Sequence, residues 1–382
     1  MRAAAIGAAA LLLGGCAAGA LAPRKAPDVA LEEEEKGMWH VAAEAQVEID
    51  RGGRVAADPA LEAYLASVGR RLVPPAQGGE AIPFRFRALR DPRPNAFCLP
   101  NGAIYVASGM LARMESEAEL AALLGHEMAH AIHRHALREL RTSQNTGAVM
   151  ATLGAMVGAG AQPGGLIYMA SVSGYSRDME READREGLAL ATAAGYDATL
   201  APHLFERLRD FAVAEKLPEG SAYFASHPRL EERIASMREA LAGAPSRGEA
   251  GAERYRQQTA RLLLENARIE LGRGRLANAR EQLGRFQKER PGDAAGHLAL
   301  GELERREGGE GSAARAAAAY RKALEIEPRS AEAWRGLGLV LQRSGQAEES
   351  RRALRRYLEL APAAPDRAHV EAALQDSPGG KP

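Results

Sequence analysis

The feature that most restricts what this chain can fold into is a repeat in its C-terminal third. Pro291, Pro328 and Pro362 close three similar stretches (ERP, IEP and LAP), 37 and then 34 residues apart. Self-similarity at that period marks units of two helices that cannot bury their apolar faces alone. Stacked side by side, three such units bury a continuous core. The middle unit is lengthened by three extra residues near GGEGS; the first, roughly 260 to 293, keeps Leu263, Gly274 and Ala279 in register but is otherwise degenerate. A helical array is therefore predicted over 254–364, entered through the linker-like segment GAPSRGEAGAE (243–253) and followed by a tail over 365–382.

In the last unit Trp334, Leu337, Gly338 and Pro362 stand where the tetratricopeptide pattern requires them, and His297, Leu300 and Gly301 take those places in the middle unit. At 382 residues the chain is too long for one hydrophobic core, so the N-terminal part must hold a second domain. Its 50 basic residues balance 50 acidic ones, and that balance argues against nucleic acid as a partner.

The first residues, MRAAAIGAAALLLGGC, place one positive charge before a short apolar run that ends in small residues and a cysteine. That is an export signal, too short to span a membrane as a permanent helix. Its LGGC ending resembles the lipobox of bacterial lipoproteins, which implies removal of residues 1–15 and a lipid on Cys16. Residues 16–30, rich in Ala and Pro, then read as a tether. Ala17 rather than aspartate follows the cysteine, which points to the outer membrane. With Cys16 acylated, Cys98 has no partner for a disulfide and is expected as a small buried hydrophobe.

Residues 31–242 read as one domain. Helical patterns run from Glu32 to Ile49 and from Asp58 to Val73, the second with Asp58 placed to cap and Pro59 at the first helical position. IPFRFRAL (82–89) alternates like a half-buried strand, and AFCLPNGAIYVASG reads as two strands around a Pro-Asn-Gly turn. Long helices are expected from about Ser116 to Leu140 and from about Ser173 to Ala194. The glycine-broken apolar stretch between them (146–170) reads as a buried hairpin of short helices rather than a membrane span. The fold class is mainly α: an α+β domain with a small antiparallel sheet, followed by an α-helical solenoid.

The first of these long helices carries LLGHEMAHAIHRH. His126 and His130 lie one turn apart on one face, so their imidazoles can converge on a single zinc ion, and Glu127 can reach a water held there. His133, about 10.5 Å further along the axis than His126, is too far to join them. It and His135 read as polar residues of the helix surface or its packing. A third ligand is sought on the second long helix, among Glu180, Glu182 and Glu186. At about 100° per residue, Ser176, Met179, Ala183, Gly187, Leu190, Ala191 and Ala194 form a small, apolar face that includes Glu180. Asp184 stands at its edge and Glu182 outside it with Arg181 and Arg185. A carboxylate directed into a packed interface needs a partner, which a zinc ion supplies. Asp184, one turn on, can accept the free N–H of a ligating histidine.

HEMAH, the downstream E-x-x-A-D (Glu180 to Asp184), the upstream NAFCLPNGAIYVASGML and the later SHPRLEERI together resemble the zinc metallopeptidases of the HtpX, Oma and BepA type. With an export signal and a tetratricopeptide array, the likeness is greatest to the BepA kind, periplasmic peptidases and chaperones that attend outer-membrane β-barrel assembly. The lipobox departs from that kind. The resemblance implies a gluzincin-type domain with one zinc per chain, His126, His130 and Glu180 as ligands, Glu127 as general base and acid, and Asp184 behind the ligands. It also implies that His227, in the H-P motif, stabilises an oxyanion or acts as a switch.

A zinc endopeptidase of the cell envelope is the function so implied, acting on unfolded or misassembled polypeptides. Its expected place is the periplasm, lipid-anchored to the outer membrane, with the repeats recruiting the outer-membrane protein assembly machinery. The strand formed by Gly102, Ala103, Ile104, Tyr105 and Val106, if it is an edge, can pair with an extended substrate. The competing reading is a chaperone or adaptor whose peptidase site is largely latent; a small-molecule zinc hydrolase would leave the repeats without a use.

Overall fold

The computed structural model describes residues 33–73, 82–142, 175–217, 227, 229–243 and 245–375. The segments expected as an export signal (1–15) and a tether (16–30, with Cys16), and the 146–170 stretch expected as a hairpin of short helices, lie outside the described residues. Among those described, no helix is long and apolar enough to cross a membrane.

Two helices open the described chain, α1 (Glu33–Arg51) and α2 (Pro59–Leu72). The Asp58 side chain caps α2, accepting from the N–H groups of Ala60 and Leu61 at 3.1 Å, with Pro59 in the first turn where its missing N–H costs nothing. Three short strands follow, β1 (Arg85–Leu89), β2 (Ala96–Cys98) and β3 (Ala103–Ala107). The β2–β3 hairpin turns through Gly102, whose φ of +84° suits glycine.

The sheet order is β1-β3-β2, and β1 runs parallel to β3 (Arg85 opposite Ala103) while β2 is antiparallel to it (Ala96 opposite Val106). The sheet is thus mixed rather than antiparallel throughout. The hairpin reverses the chain between β2 and β3, so β1, lying on the far side of β3, shares its direction.

After the short α3 (Ser108–Leu111) comes α4 (Glu117–Ile132), buried along its whole length except Ala131. Ser116 caps it by accepting from the Glu119 N–H at 3.2 Å, and Glu119 reaches back to the Glu115 N–H at 2.9 Å. The expected continuous helix from Ser116 to Leu140 is broken: His133 ends α4, Arg134 takes φ +54°, and α5 (His135–Thr142) sets off in a new direction. Next come α6 (Arg177–Ala193), capped by Ser176, α7 (Ala201–Ala214) and α8 (Leu230–Ala240). Helices α4 and α6 cross where Gly125 meets Gly187; a Cβ on Gly187 would stand 2.7 Å from the His126 backbone nitrogen. Backbone-to-backbone contact at that crossing brings the side chains of both helices within reach of one another.

The C-terminal helices form pairs, α9 (Ala252–Gly272) with α10 (Leu276–Glu289), α11 (Ala294–Glu307) with α12 (Ser312–Ile326), and α13 (Ala331–Arg343) with α14 (Ala347–Leu360). Part of the expected tail is a further helix, α15 (Arg367–Gln375), whose Val370 packs on Leu354 and Tyr357 and so covers the open end of the stack.

Within the segment 243–253, expected as a linker, Glu249 and Ala250 are seated on the N-terminal body. Glu249 donates to the Gly195 carbonyl at 2.8 Å, Asp197 donates to the Glu249 carbonyl at 3.1 Å, and the Ala118 N–H at the start of α4 donates to the Ala250 carbonyl at 3.1 Å. Arg254 makes a two-pronged ion pair with the buried Glu117. Helix α9 continues the attachment. Tyr255 and Leu262 belong to the same core as Leu65, Ile104, Leu124 and Phe205, the Tyr255 hydroxyl donates to the Leu111 carbonyl at 2.5 Å, and Asn266 binds Ser108 through both its amide atoms. A segment rich in Gly, Ala and Ser can be ordered when the surface beneath it supplies backbone partners, and here Gly195, Asp197 and Ala118 do so.

Candidate metal centre

Four side chains converge beneath the α4–α6 crossing. His126 and His130 project from one face of α4, Glu180 from the facing side of α6, and His227 from the segment before α8. The candidate ligand atoms all lie within 4.8 Å of one another. His126 Nε2 is 3.0 Å from His130 Nε2, 3.2 Å from His227 Nδ1 and 3.7 Å from Glu180 Oε2. Glu180 Oε1 is 3.5 Å from His130 Nε2 and 3.1 Å from His227 Nδ1. Zinc holds nitrogen and oxygen ligands tetrahedrally at about 2.0–2.2 Å, which sets neighbouring ligand atoms roughly 3.3 Å apart. The observed spacings bracket that value.

The donor chemistry agrees. Burial, then the neighbouring His126, holds the His130 pKa well below the usual imidazole value, so it is neutral and has a lone pair to give. Burial by itself would raise the Glu180 carboxyl, but the facing His227 and Arg233 outweigh it and keep the group ionised. Glu127 Oε1 is buried with no hydrogen-bond partner, 3.6 Å from His227 Nε2. An orphaned carboxylate oxygen in so dry a place requires a partner, and a water beside a bound cation would provide one. The residues present therefore fit a zinc ion.

Glu182, weighed against Glu180 in the sequence, points elsewhere: it is partly exposed and takes a hydrogen bond from Arg138 at 2.6 Å. Asp184 lies behind the cluster with Oδ1 2.9 Å from His126 Nδ1, and its pKa is driven far down, against burial, by Arg233 and His126. Arg233, absent from the sequence reading, donates to both Asp184 oxygens at 2.9 and 2.6 Å and lies 3.3 Å from Glu180. Its signal was present: an arginine inside the apolar stripe Leu230, Ile234, Met237 of α8 is either buried or misplaced, and here it is buried. His135 was also missed as a neighbour of the site. The turn at Arg134 carries it back so that its Nδ1 stands 2.8 Å from His130 Nδ1, fully buried. The Tyr175 ring stacks on His130, centroids 4.0 Å apart.

The expected substrate strand requires correction. Ala103, Ile104, Tyr105 and Val106 lie in β3, the central strand, fully buried and paired on both sides, and Gly102 is in the hairpin turn. No backbone edge is left there for a substrate. The outer side of β1 is bonded in part to the 54–56 segment, where Val55 bridges Leu89 and Ala56 donates to the Ala88 carbonyl at 2.9 Å; β2 pairs on one side only among the described residues. Because Asn95 and Leu99 exchange their bonds with Ala107 and Ala103, the alternate residues Ala96 and Cys98 direct their backbone groups away from β3. Cys98 stands close enough to Glu127 that burial, and then that carboxylate, push its thiol pKa well up. It is a free, partly buried thiol rather than the fully buried hydrophobe expected, and its Sγ donates to the Leu99 carbonyl at 3.3 Å.

Comparison with known proteins agrees with this arrangement. Residues 59–241 match the model of peptidase family M48, and residues 309–375 match that of the tetratricopeptide repeat. A Vibrio cholerae protein provisionally named β-barrel assembly-enhancing protease is 35% identical over 48% of this chain and 39% of its own length. The Schizosaccharomyces pombe mitochondrial metalloendopeptidase OMA1 is 31% identical over 47% of this chain and 52% of its length. The β-barrel assembly-enhancing protease of Escherichia coli is 29% identical over 47% of this chain and 39% of its length. The chain thus spans about half or less of the relatives it matches. Matched by sequence pattern and by a buried His-His-Glu-His cluster of zinc-site dimensions, residues 59–241 are a peptidase family M48 domain, joined to a C-terminal tetratricopeptide array.

Proposed function

We propose that this protein is a zinc metalloendopeptidase of the bacterial cell envelope that removes misfolded or stalled outer-membrane proteins. In this reading one zinc per chain is held by His126, His130 and Glu180, and the repeats recruit the substrate or the assembly machinery that carries it. The observation that supports the reading most is the unpartnered, buried Glu127 oxygen beside three converging donors. The family of the domain and the names of its relatives support the rest. An anchor at Cys16 would hold the protein at the periplasmic face of the outer membrane.

Zinc bound there supplies Lewis acidity for a scissile carbonyl and lowers the pKa of a water to about 7. Glu127, in a dry pocket with one unpartnered oxygen, is placed to take a proton from a water in the site and to return it to the leaving amine. Asp184 accepts the Nδ1 proton of His126 and leaves its Nε2 lone pair facing the cluster, while Arg233 keeps Asp184 charged. The β2 edge at Ala96 and Cys98, in place of β3, is the strand that would pair with an extended polypeptide.

His227 favours a latent form of this enzyme. Its Nδ1 occupies the fourth position of the cluster, and Glu180 and Glu127, outweighing the effect of burial, raise its pKa. A closed four-ligand site is structural, whereas a catalytic one keeps an open position. A zinc ion held by His126, His130 and Glu180 would need that position for water, so in this reading His227 would withdraw before substrate enters, and its imidazole would then be placed to donate to the oxyanion. The test uses the purified full-length protein with an unfolded β-barrel protein and casein as substrates. Glu127→Gln is expected to retain zinc and fold but lose cleavage, and His227→Ala to raise basal casein cleavage. Cleavage by Glu127→Gln near the wild-type rate would mean that another group activates the water. Lowered cleavage in His227→Ala would leave only the oxyanion role.

A further inference from the structure

We infer that His135 is a positioning residue that fixes the tautomer of the metal-facing His130, through a hydrogen-bonded chain running His130, His135, Glu182, Arg138. The inference rests on the zinc reading above and extends it to residues that touch no metal.

The chain follows from proton counting. His130 directs Nε2 at His126 Nε2 (3.0 Å) and Glu180 Oε1 (3.5 Å), and Nδ1 at His135 Nδ1 (2.8 Å). At 2.8 Å one of the two Nδ1 atoms must donate and the other accept. If His130 is to offer the Nε2 lone pair to a cation, its single proton sits on Nδ1, so His135 Nδ1 accepts. The proton of neutral His135 is then on Nε2, which lies 3.1 Å from Glu182 Oε2, an acceptor only. The reverse assignment fails at both ends. A proton on His135 Nδ1 would aim its bare Nε2 at a carboxylate and force the His130 proton into the cation site. Arg138 donates to the same Glu182 oxygen at 2.6 Å and holds the acceptor in place.

The fold brings this chain together at the left-handed turn that ends α4. Arg134 has φ +54°, strained for a residue with a Cβ, and without that turn His135 would continue along α4 away from His130. The buried Glu35 of α1 lies 3.5 Å from Arg134 Nε, so α1 bears on the turn from outside. His126 is oriented by a charged carboxylate, Asp184, and His130 by a neutral imidazole whose own orientation is set by Glu182. The two metal-facing histidines thus have acceptors of different strength behind them.

The experiment measures zinc affinity by chelator competition on full-length wild type, His135→Leu, His135→Gln and Glu182→Ala, with the melting temperature of each metal-free protein. Removing a residue that orients a metal-binding histidine costs about 10- to 100-fold in affinity, and that is the loss expected for His135→Leu. Gln can accept from His130 and donate to Glu182, so His135→Gln should restore most of the affinity, which side-chain packing alone would not predict. Glu182→Ala is expected to weaken zinc binding less than His135→Leu. In the zinc-loaded protein, nitrogen-15 spectra of the histidines should show His130 protonated at Nδ1 and His135 only at Nε2. Wild type that takes up no zinc would sink the metal-site reading itself. Wild type that binds while His135→Leu binds equally well, or a proton found on His135 Nδ1, would sink the positioning role alone. If His135→Leu does not fold, equal affinities in wild type and Glu182→Ala, or a His135→Gln affinity lowered 10-fold or more in a folded protein, overturn the inference.

Discussion

Substituting Gly187 by alanine tests whether the helix crossing sets the metal geometry. The added methyl would stand 2.7 Å from the His126 nitrogen, 3.0 Å from the Ala122 oxygen and 3.1 Å from the His126 Cα, against an ordinary contact of 3.4 Å or more. All three are backbone atoms of α4 and cannot rotate aside, so α4 and α6 must part by about 0.7 Å in a close-packed interior. Overpacking of this kind costs about 1–3 kcal/mol. Alanine returns about 1 kcal/mol of helix propensity, leaving a modest net loss of stability. The larger effect falls on the site. Glu180 sits two turns back on α6 and moves with it, while His126 and His130 stay on α4. Metal sites tolerate only about 0.2 Å in ligand distance, so zinc affinity should fall by at least about 10-fold. The assay is chelator competition on the folded protein, with thermal melting of the metal-free form. Gly284→Ala, where a new Cβ on α10 meets nothing within 4 Å, is the control: unchanged zinc binding and a slight rise in stability. A Gly187→Ala protein that binds zinc like wild type would show that the crossing has slack and that the close approach does not govern the ligands.

Three further outcomes are expected. Glu180→Ala should lose zinc while Glu182→Ala retains a stoichiometric ion; metal analysis with the opposite result would mean that the cluster is read from the wrong carboxylate. Cys16→Ser should release the protein into the soluble periplasmic fraction, and membrane retention of that variant would point to a bound partner or to the 146–170 stretch. A chain cut after residue 293 should keep zinc and casein cleavage but lose turnover of its natural target in cells. One cut after residue 253 should fail to fold, since it removes Tyr255 from the peptidase core, a deletion worth about 3–5 kcal/mol for an aromatic side chain. Stable, zinc-loaded protein from the shorter of these two chains would refute the assignment of α9 to both units.

What the amino-acid order determined by itself is whatever a helix or strand period can carry. His126 and His130 share a face because they are four residues apart, and Glu180 turns inward while Glu182 turns out because α6 advances about 100° per residue. Asp58 and Ser116 mark their helix starts through bonds that span two or three residues, whereas α6, expected from about Ser173, begins at Arg177 after its Ser176 cap. The proline spacing and the small-residue register of the repeats are local in the same sense.

Tertiary structure decided the rest, because the deciding contacts join residues far apart in sequence. No local signal in HRH foretells that Arg134 will turn left-handed; α1, the facing α6 and the demands of burial choose that conformation and return His135 to His130. Whether β3 is an edge or a centre depends on where β1 docks, and β1 docks parallel along its far side. Arg233 becomes part of the site only when α8 packs on α6. The Gly- and Ala-rich 243–253 segment has the composition of a linker, but its Glu249 and Ala250 are held by Gly195, Asp197 and Ala118, whose backbone groups would otherwise lack these partners.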